Sequence, residues 1–236
     1  MGIKKIPYGE ADFGKIIQNN MYYVDKTRYI HELEELSNYI FLIRPRRFGK
    51  SLWINLLQYY YDINLEDQFN EFFKDTYIGK HPTPNRNTYL TIAFNFAMVD
   101  PSIKRVQDAF KRYVARIIND FLERYTQYFD RNKIAEIQSY ESIDQKVQEL
   151  FLYCSRKKFK VYMFIDEYDN FTNTILTTSG KKEYINLTHG EGPLRYFFNL
   201  LKGLTSIPFS GLYRLFITGV SPIKEISFLF CTILVY

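Results

Sequence analysis

The stretch FLIRPRRFGKSL, residues 41–52, decides how this chain is read. Tyr39, Ile40, Phe41, Leu42 and Ile43 form a short, β-prone apolar run that Pro45 closes, the pattern of a buried parallel strand. A basic loop follows and ends on Gly49, Lys50 and Ser51, after which Leu52, Trp53, Ile54, Leu56 and Leu57 recur at helical spacing. A strand that feeds a loop onto the start of a helix aims backbone N–H groups and the positive end of the helix dipole at one point, and phosphate suits that point. In such a loop Lys50 reaches the β- and γ-phosphates and Ser51 ligates magnesium, while Arg46, Arg47, Phe48, Gly49 and Leu52 complete the wall around the phosphates. The general pattern G-x-x-x-x-G-K-[ST] has glycine where this chain has Arg44, so the loop is a degenerate form.

A second apolar run, Val161, Tyr162, Met163, Phe164 and Ile165, ends in Asp166 and Glu167. A carboxylate at the tip of a buried strand beside a phosphate loop can hold magnesium directly or through water. The adjacent glutamate can polarise an attacking water. An acidic turn ending an ordinary strand is the bland alternative, and the presence of Gly49, Lys50 and Ser51 weighs against it. A third run, Leu212, Tyr213, Leu215, Phe216 and Ile217, leads into Thr218, Gly219, Val220 and Ser221. Thr218 or Ser221 could sense the γ-phosphate by hydrogen bonding to it or to the attacking water; a strand exit punctuated by Gly219 and Pro222 stands equally beside that reading.

RPRRFGKS at 44–51, IDEYD at 165–169, TGVS at 218–221 and YVDKT at 23–27 together resemble the AAA-ATPase-like family. Members are bacterial and archaeal P-loop proteins, often with a nuclease-like domain of the PD-(D/E)XK type after the ATPase domain. The resemblance spans residues 5–224, and its most specific part is the arginine-rich loop, which in the family also carries arginine at the place of Arg44. It implies that Lys50 and Ser51 serve nucleotide phosphate and magnesium, and that Asp166 and Glu167 serve metal and water activation. It implies a P-loop NTPase fold of the AAA/ASCE-like kind, an α/β domain with a parallel, helix-flanked sheet. It also puts residues 23–27 near the nucleotide; the alternative is a packing strand in which Asp25 caps the next helix, at 27–33. The nuclease-like domain has no counterpart in these residues, so nuclease activity is not expected.

The rest of the chain fits one domain over residues 1–225. Its 236 residues, 46% hydrophobic and 24% charged, suffice for one sizeable core. Helices are expected at 65–75, 102–128, 142–153 (capped by Ser142) and 192–202, and a second strand at 89–96. The helices between that strand and Asp166 form a helical insertion at about 101–158. Residues 177–192 read as a polar, glycine-marked loop. Residues 226–236 are apolar, β-prone and uncapped; they read as a truncated end, with a fifth strand as the alternative.

The 21 Tyr and 21 Phe lie mostly at helix or strand spacing and are assigned to the core. A net charge of +5 and a pI near 8.9 permit nucleic-acid contact without requiring it. Arg156, Lys157, Lys158 and Lys160 read as a solvated helix end, and Arg195 and Arg214 as surface arginines rather than arginine fingers. Cys154 and Cys231 have neither metal nor disulfide spacing, which points to a reducing cytoplasm. Neither a signal peptide nor a span of roughly 20 apolar residues is evident, so no membrane partner is expected. Three classes of function follow: a slow, magnesium-dependent ATPase coupled to a nucleic-acid or protein partner, a nucleotide-dependent switch without turnover, or a basic adaptor whose loop meets nucleic-acid phosphates.

Overall fold

Five apolar runs form five strands, and their alternation explains why both faces of the sheet are covered. In the computed structural model, residues 3–99, 106–169, 173, 176, 192–220 and 232–235 are described. The strands are β1 (Tyr39–Ile43), β2 (Leu90–Asn95), β3 (Val161–Asp166), β4 (Leu212–Gly219) and β5 (Thr232–Val235). Every pairing is parallel and the order is β2-β3-β4-β1-β5. Val161, Met163 and Ile165 of β3 point into one core cluster, whereas Tyr162 and Phe164 point into another. Phe41 and Ile43 of β1 divide from Ile40 in the same way. A two-residue side-chain period with apolar residues on both sides is what a doubly covered parallel sheet requires.

On the first face lie α6 (Val106–Arg124), α7 (Arg131–Ser139), α8 (Ile143–Arg156) and α9 (Pro193–Ser206). Phe110, Val114, Ile118, Leu150, Phe151, Phe197 and Leu201 bury their side chains there, each such burial contributing about 1.5–3 kcal/mol. On the second face lie α1 (Phe13–Gln18), α2 (Tyr29–Glu35), α3 (Lys50–Tyr61), α4 (Phe69–Phe73) and α5 (Tyr77–Lys80). Phe13, Ile30, Ile54, Leu57 and Phe73 fill that second core. Connections from β1 to the far-edge strand β2, and back through β3 and β4, set the carboxyl ends of β1, β3 and β4 side by side, where open α/β sheets build their crevices.

Several expected elements differ in detail. The helix expected at 65–75 is a 3-10 segment, Ile63–Gln68, followed by the short α4. No residue of 63–68 is buried, so packing rewards a regular α-turn only from Phe69 onward. The long helix expected at 102–128 ends at Arg124, before a separate 3-10 turn at Thr126–Tyr128. Ser142 does stand at the N-cap of α8, but its hydroxyl bonds to the Asp144 carboxylate and makes no cap bond to the backbone. Thr232–Val235 pairs along β1 as the fifth strand. The loop expected at 177–192 lies outside the described residues except for Gly192. Among the described residues, no helix is long and apolar enough to cross a membrane.

Candidate functional site

Pairing between β1 and β4 sets Leu42 opposite Thr218 and Ile43 opposite Gly219. One further backbone bond, Arg44 N–H to the Gly219 carbonyl at 3.1 Å, ties the start of the basic loop to the end of β4. The loop then curls through two left-handed residues, Arg47 at φ 66° and Gly49 at φ 74°. Glycine takes that conformation at no steric cost, so Gly49 can deliver the chain directly into α3. The Trp53 N–H to the Gly49 carbonyl is the helix's first bond, at 2.9 Å. With glycine at the N-cap, no side chain caps the first N–H groups, which leaves the positive end of α3 facing the loop.

Lys50 is buried, and its ammonium bends back to donate to the carbonyls of Arg44, at 2.9 Å, and Pro45, at 3.0 Å. Across from it β3 ends at the buried Asp166. One Asp166 oxygen accepts a 2.5 Å bond from the fully buried Thr218 hydroxyl and a 3.0 Å bond from the Glu167 N–H. Glu167 is half-buried at φ 51°. Burial and the neighbouring Asp166 raise its pKa above the ordinary glutamate value, against the pull of Lys50 and Arg46. The loop cations and the strand-end carboxylates therefore share one electrostatic site.

Arg46, Arg47 and Phe48 lie exposed along the loop, with the Arg44 guanidinium 5.7 Å from the centre of the Phe48 ring. Ser51 and Leu52 stand half-buried in the first turn of α3, and the Leu52 side chain packs toward the second core. Ser221 lies outside the described residues. Two further residues of IDEYD take part in the architecture. Tyr168 is fully buried against Phe41, with ring centres 4.9 Å apart. Asp169, also buried, accepts the Val220 N–H at 2.9 Å and so holds the exit from β4. Gly219 makes this packing fit: a Cβ there would lie 2.1 Å from the Tyr168 ring.

Residues 7–229 match the family described as "Predicted AAA-ATPase". The chain belongs to this AAA-ATPase-like family. A 58-residue stretch is also 48% identical to a protein of Azotobacter chroococcum mcd 1 described as "Uncharacterized protein in vnfD 5'region". That match covers 24% of this chain and 11% of the relative's length.

Two expectations about this AAA-ATPase-like chain need correction. Arg214 is not a surface residue. It is buried on β4, donates to the Glu34 backbone carbonyl at 3.1 Å and lies among the phenols of Tyr61, Tyr89 and Tyr162. A guanidinium enclosed in this way cannot reach a neighbouring subunit, whereas Arg195 is exposed as expected. Asp25, for its part, does not cap α2, and residues 23–27 form no strand. Its carboxylate accepts the Thr27 N–H at 2.8 Å and the Tyr77 N–H of α5 at 2.6 Å. Thr27 accepts the Ile78 N–H at 3.0 Å. These bonds make the segment a clasp between the amino-terminal arm and α5.

Proposed function

We propose that the chain binds ATP with magnesium at the ends of β1, β3 and β4, and hydrolyses it slowly until a partner completes the site. The observation that carries this reading is the convergence of Lys50, Asp166, Glu167 and Thr218 from three separate strand ends onto one uncapped helix terminus. The donor set suits the ligand. The ammonium of Lys50 already rests on two loop carbonyls, weaker partners for a cation than phosphate oxygens, and the exposed Arg46 and Arg47 add positive charge around the loop. Magnesium needs few protein ligands, commonly one or two carboxylates beside substrate phosphates; Asp166 and the Ser51 hydroxyl would supply them. When bound, that ion would neutralise charge on the phosphate oxygens.

In this reading Lys50 orients the terminal phosphates and Thr218 holds the Asp166 carboxylate in a fixed direction. Phosphate beside Thr218 would compete for the same hydroxyl. Glu167 takes the proton of the attacking water, and its raised pKa makes it a better base than an ordinary glutamate. A trans arginine from a partner would supply about 10³–10⁵ in rate, and its absence keeps the isolated chain slow.

A second reading is a nucleotide-dependent switch without turnover, motivated by Arg44 at the loop position that glycine holds in the general phosphate-loop pattern. Phosphate release by wild type, Glu167→Gln and Lys50→Ala decides between them. The ATPase reading expects Glu167→Gln to lose about 10²-fold or more in turnover while still binding ATP. Unchanged turnover in that variant removes Glu167 from its assigned role, and no turnover in wild type with tight binding supports the switch.

A further inference from the structure

At the opposite end of the sheet, α8 runs out into Arg156, Lys157, Lys158, Phe159 and Lys160, just before β3 begins. This exit is a left-handed, hydrogen-bonded helix stop. Lys158 is left-handed at φ 59°, its N–H bonds to the Ser155 carbonyl at 3.0 Å, and the Phe159 N–H bonds to the Cys154 carbonyl at 2.8 Å. The three lysines among these cations have different fates. Lys157 is paired with Asp130 at 3.3 Å. Lys158 and Lys160 form no ion pair among the described residues. They instead flank a cavity of about 250 Å3 lined also by Ile63, Thr88, Leu90, Tyr128 and Phe159. The Tyr128 and Phe159 rings stand edge to face, 5.7 Å apart. Lys160 lies 4.7 Å above the half-exposed Tyr213 ring, and Phe209, just before β4, is 90% exposed.

We propose that this surface is a second binding site and that it takes single-stranded nucleic acid. The cavity is smaller than the range of about 300–1,000 Å3 that houses drug-sized ligands, so it admits one planar group rather than a whole molecule. An aromatic-walled slot with two unpaired ammonium groups on its rim fits a base with its flanking phosphates. Phe209, whose carbonyl accepts the Ser155 hydroxyl, offers a further open aromatic face at the same end of the domain. A lipid headgroup would use the lysines and leave the slot idle, and a duplex would first have to unstack and unpair a base, at a cost of about a few kcal/mol, to fill it. The net charge of +5 supplies long-range attraction of the same sign. Asp166 stands six residues after Lys160 along β3, which at about 3.3 Å per residue places the two sites roughly 20 Å apart. The two sites are therefore independent surfaces, and this one does not depend on the ATP reading.

The test is fluorescence polarisation of a labelled oligothymidylate with the full chain in saturating magnesium and ATP. Two neutralised phosphates, with a slope of about −0.7 each, give a roughly sevenfold loss of affinity between about 50 and 200 mM salt. The Lys158→Glu/Lys160→Glu variant is expected to lose binding about tenfold or more; Lys158→Gln/Lys160→Gln, a milder change at the same exposed positions, is expected to lose part of it. Phosphate release should be unchanged in both. The proposal is overturned if wild type does not bind, if the charge reversal binds normally, or if ATP displaces the oligonucleotide, which would put it on the phosphate loop. Binding to phosphatidylserine vesicles in place of the oligonucleotide would also overturn it, in favour of a lipid surface.

Discussion

Replacing Thr218 with valine isolates one bond at the centre of the site. Thr218 has no exposed surface, and its hydroxyl donates to a carboxylate, Asp166, that is 5% exposed. Valine preserves the shape and the β-branch, so little cavity forms and the lost hydrogen bond dominates. The Asp166 oxygen then keeps only the Glu167 N–H among the described partners. A hydrogen bond to a charged group is worth about 1.5–3 kcal/mol, so the expected destabilisation is about 2 kcal/mol. For a chain of this size that lowers Tm by roughly 4–8 °C. Urea unfolding followed by circular dichroism should show a lower midpoint with an unchanged slope. Thr218→Ser keeps the donor and loses one methyl group, costing about 1 kcal/mol. If the valine variant is as stable as wild type, or the serine variant is the more damaged of the two, the hydrogen bond does not hold Asp166 as argued.

Gly219→Ala tests the close approach beside it. The added Cβ would meet the Tyr168 ring, which is fixed against Phe41, so overpacking should cost about 1–3 kcal/mol in urea unfolding; a neutral result would mean the ring has room to move. Glu167→Gln tests the electrostatics through pH. Because burial and Asp166 raise the Glu167 pKa, the folded chain holds that proton more tightly than the unfolded chain does. The stabilisation this gives is complete below the ordinary value of 4.5 and is lost as pH rises through the raised value. Relative to wild type, the glutamine variant should therefore melt slightly higher at pH 7, with the gain fading in acid. A gain that persists in acid contradicts the assignment.

Much of this architecture could be read directly from the chain. Strands β1, β3 and β4 announce themselves as near-continuous apolar runs because both their faces are covered, and their polar ends carry Lys50, Asp166, Glu167 and Thr218. Residues without a local signature were harder to place. Arg214 looks like a surface cation in sequence, since nothing nearby in the chain shows that the Tyr61, Tyr89 and Tyr162 phenols will surround it. The helix α7 offers only Ile134 and Ile137 to the core, too few for a clear period. Its carboxyl end is closed from a distance by the buried Lys146, whose ammonium donates to the Ile137 and Gln138 carbonyls. Asp25 has the composition of a helix cap, yet it serves a helix some fifty residues away. The clasp and the buried arginine depend on long-range contacts, which periodicity does not encode. Asp169 was visible within IDEYD, but its task of holding Val220 depends on the pairing of β3 with β4.

The central claim is that the loop ending in Lys50 binds nucleotide, and calorimetric titration of magnesium-ATP into wild type and Lys50→Ala tests it most directly. Losing one charge-assisted contact of about 1.5–3 kcal/mol weakens binding roughly 10- to 150-fold. The account predicts saturable binding by wild type that depends on magnesium and falls by that amount in a variant that remains folded. Equal binding by the two proteins, or no binding by a folded wild type, would contradict it.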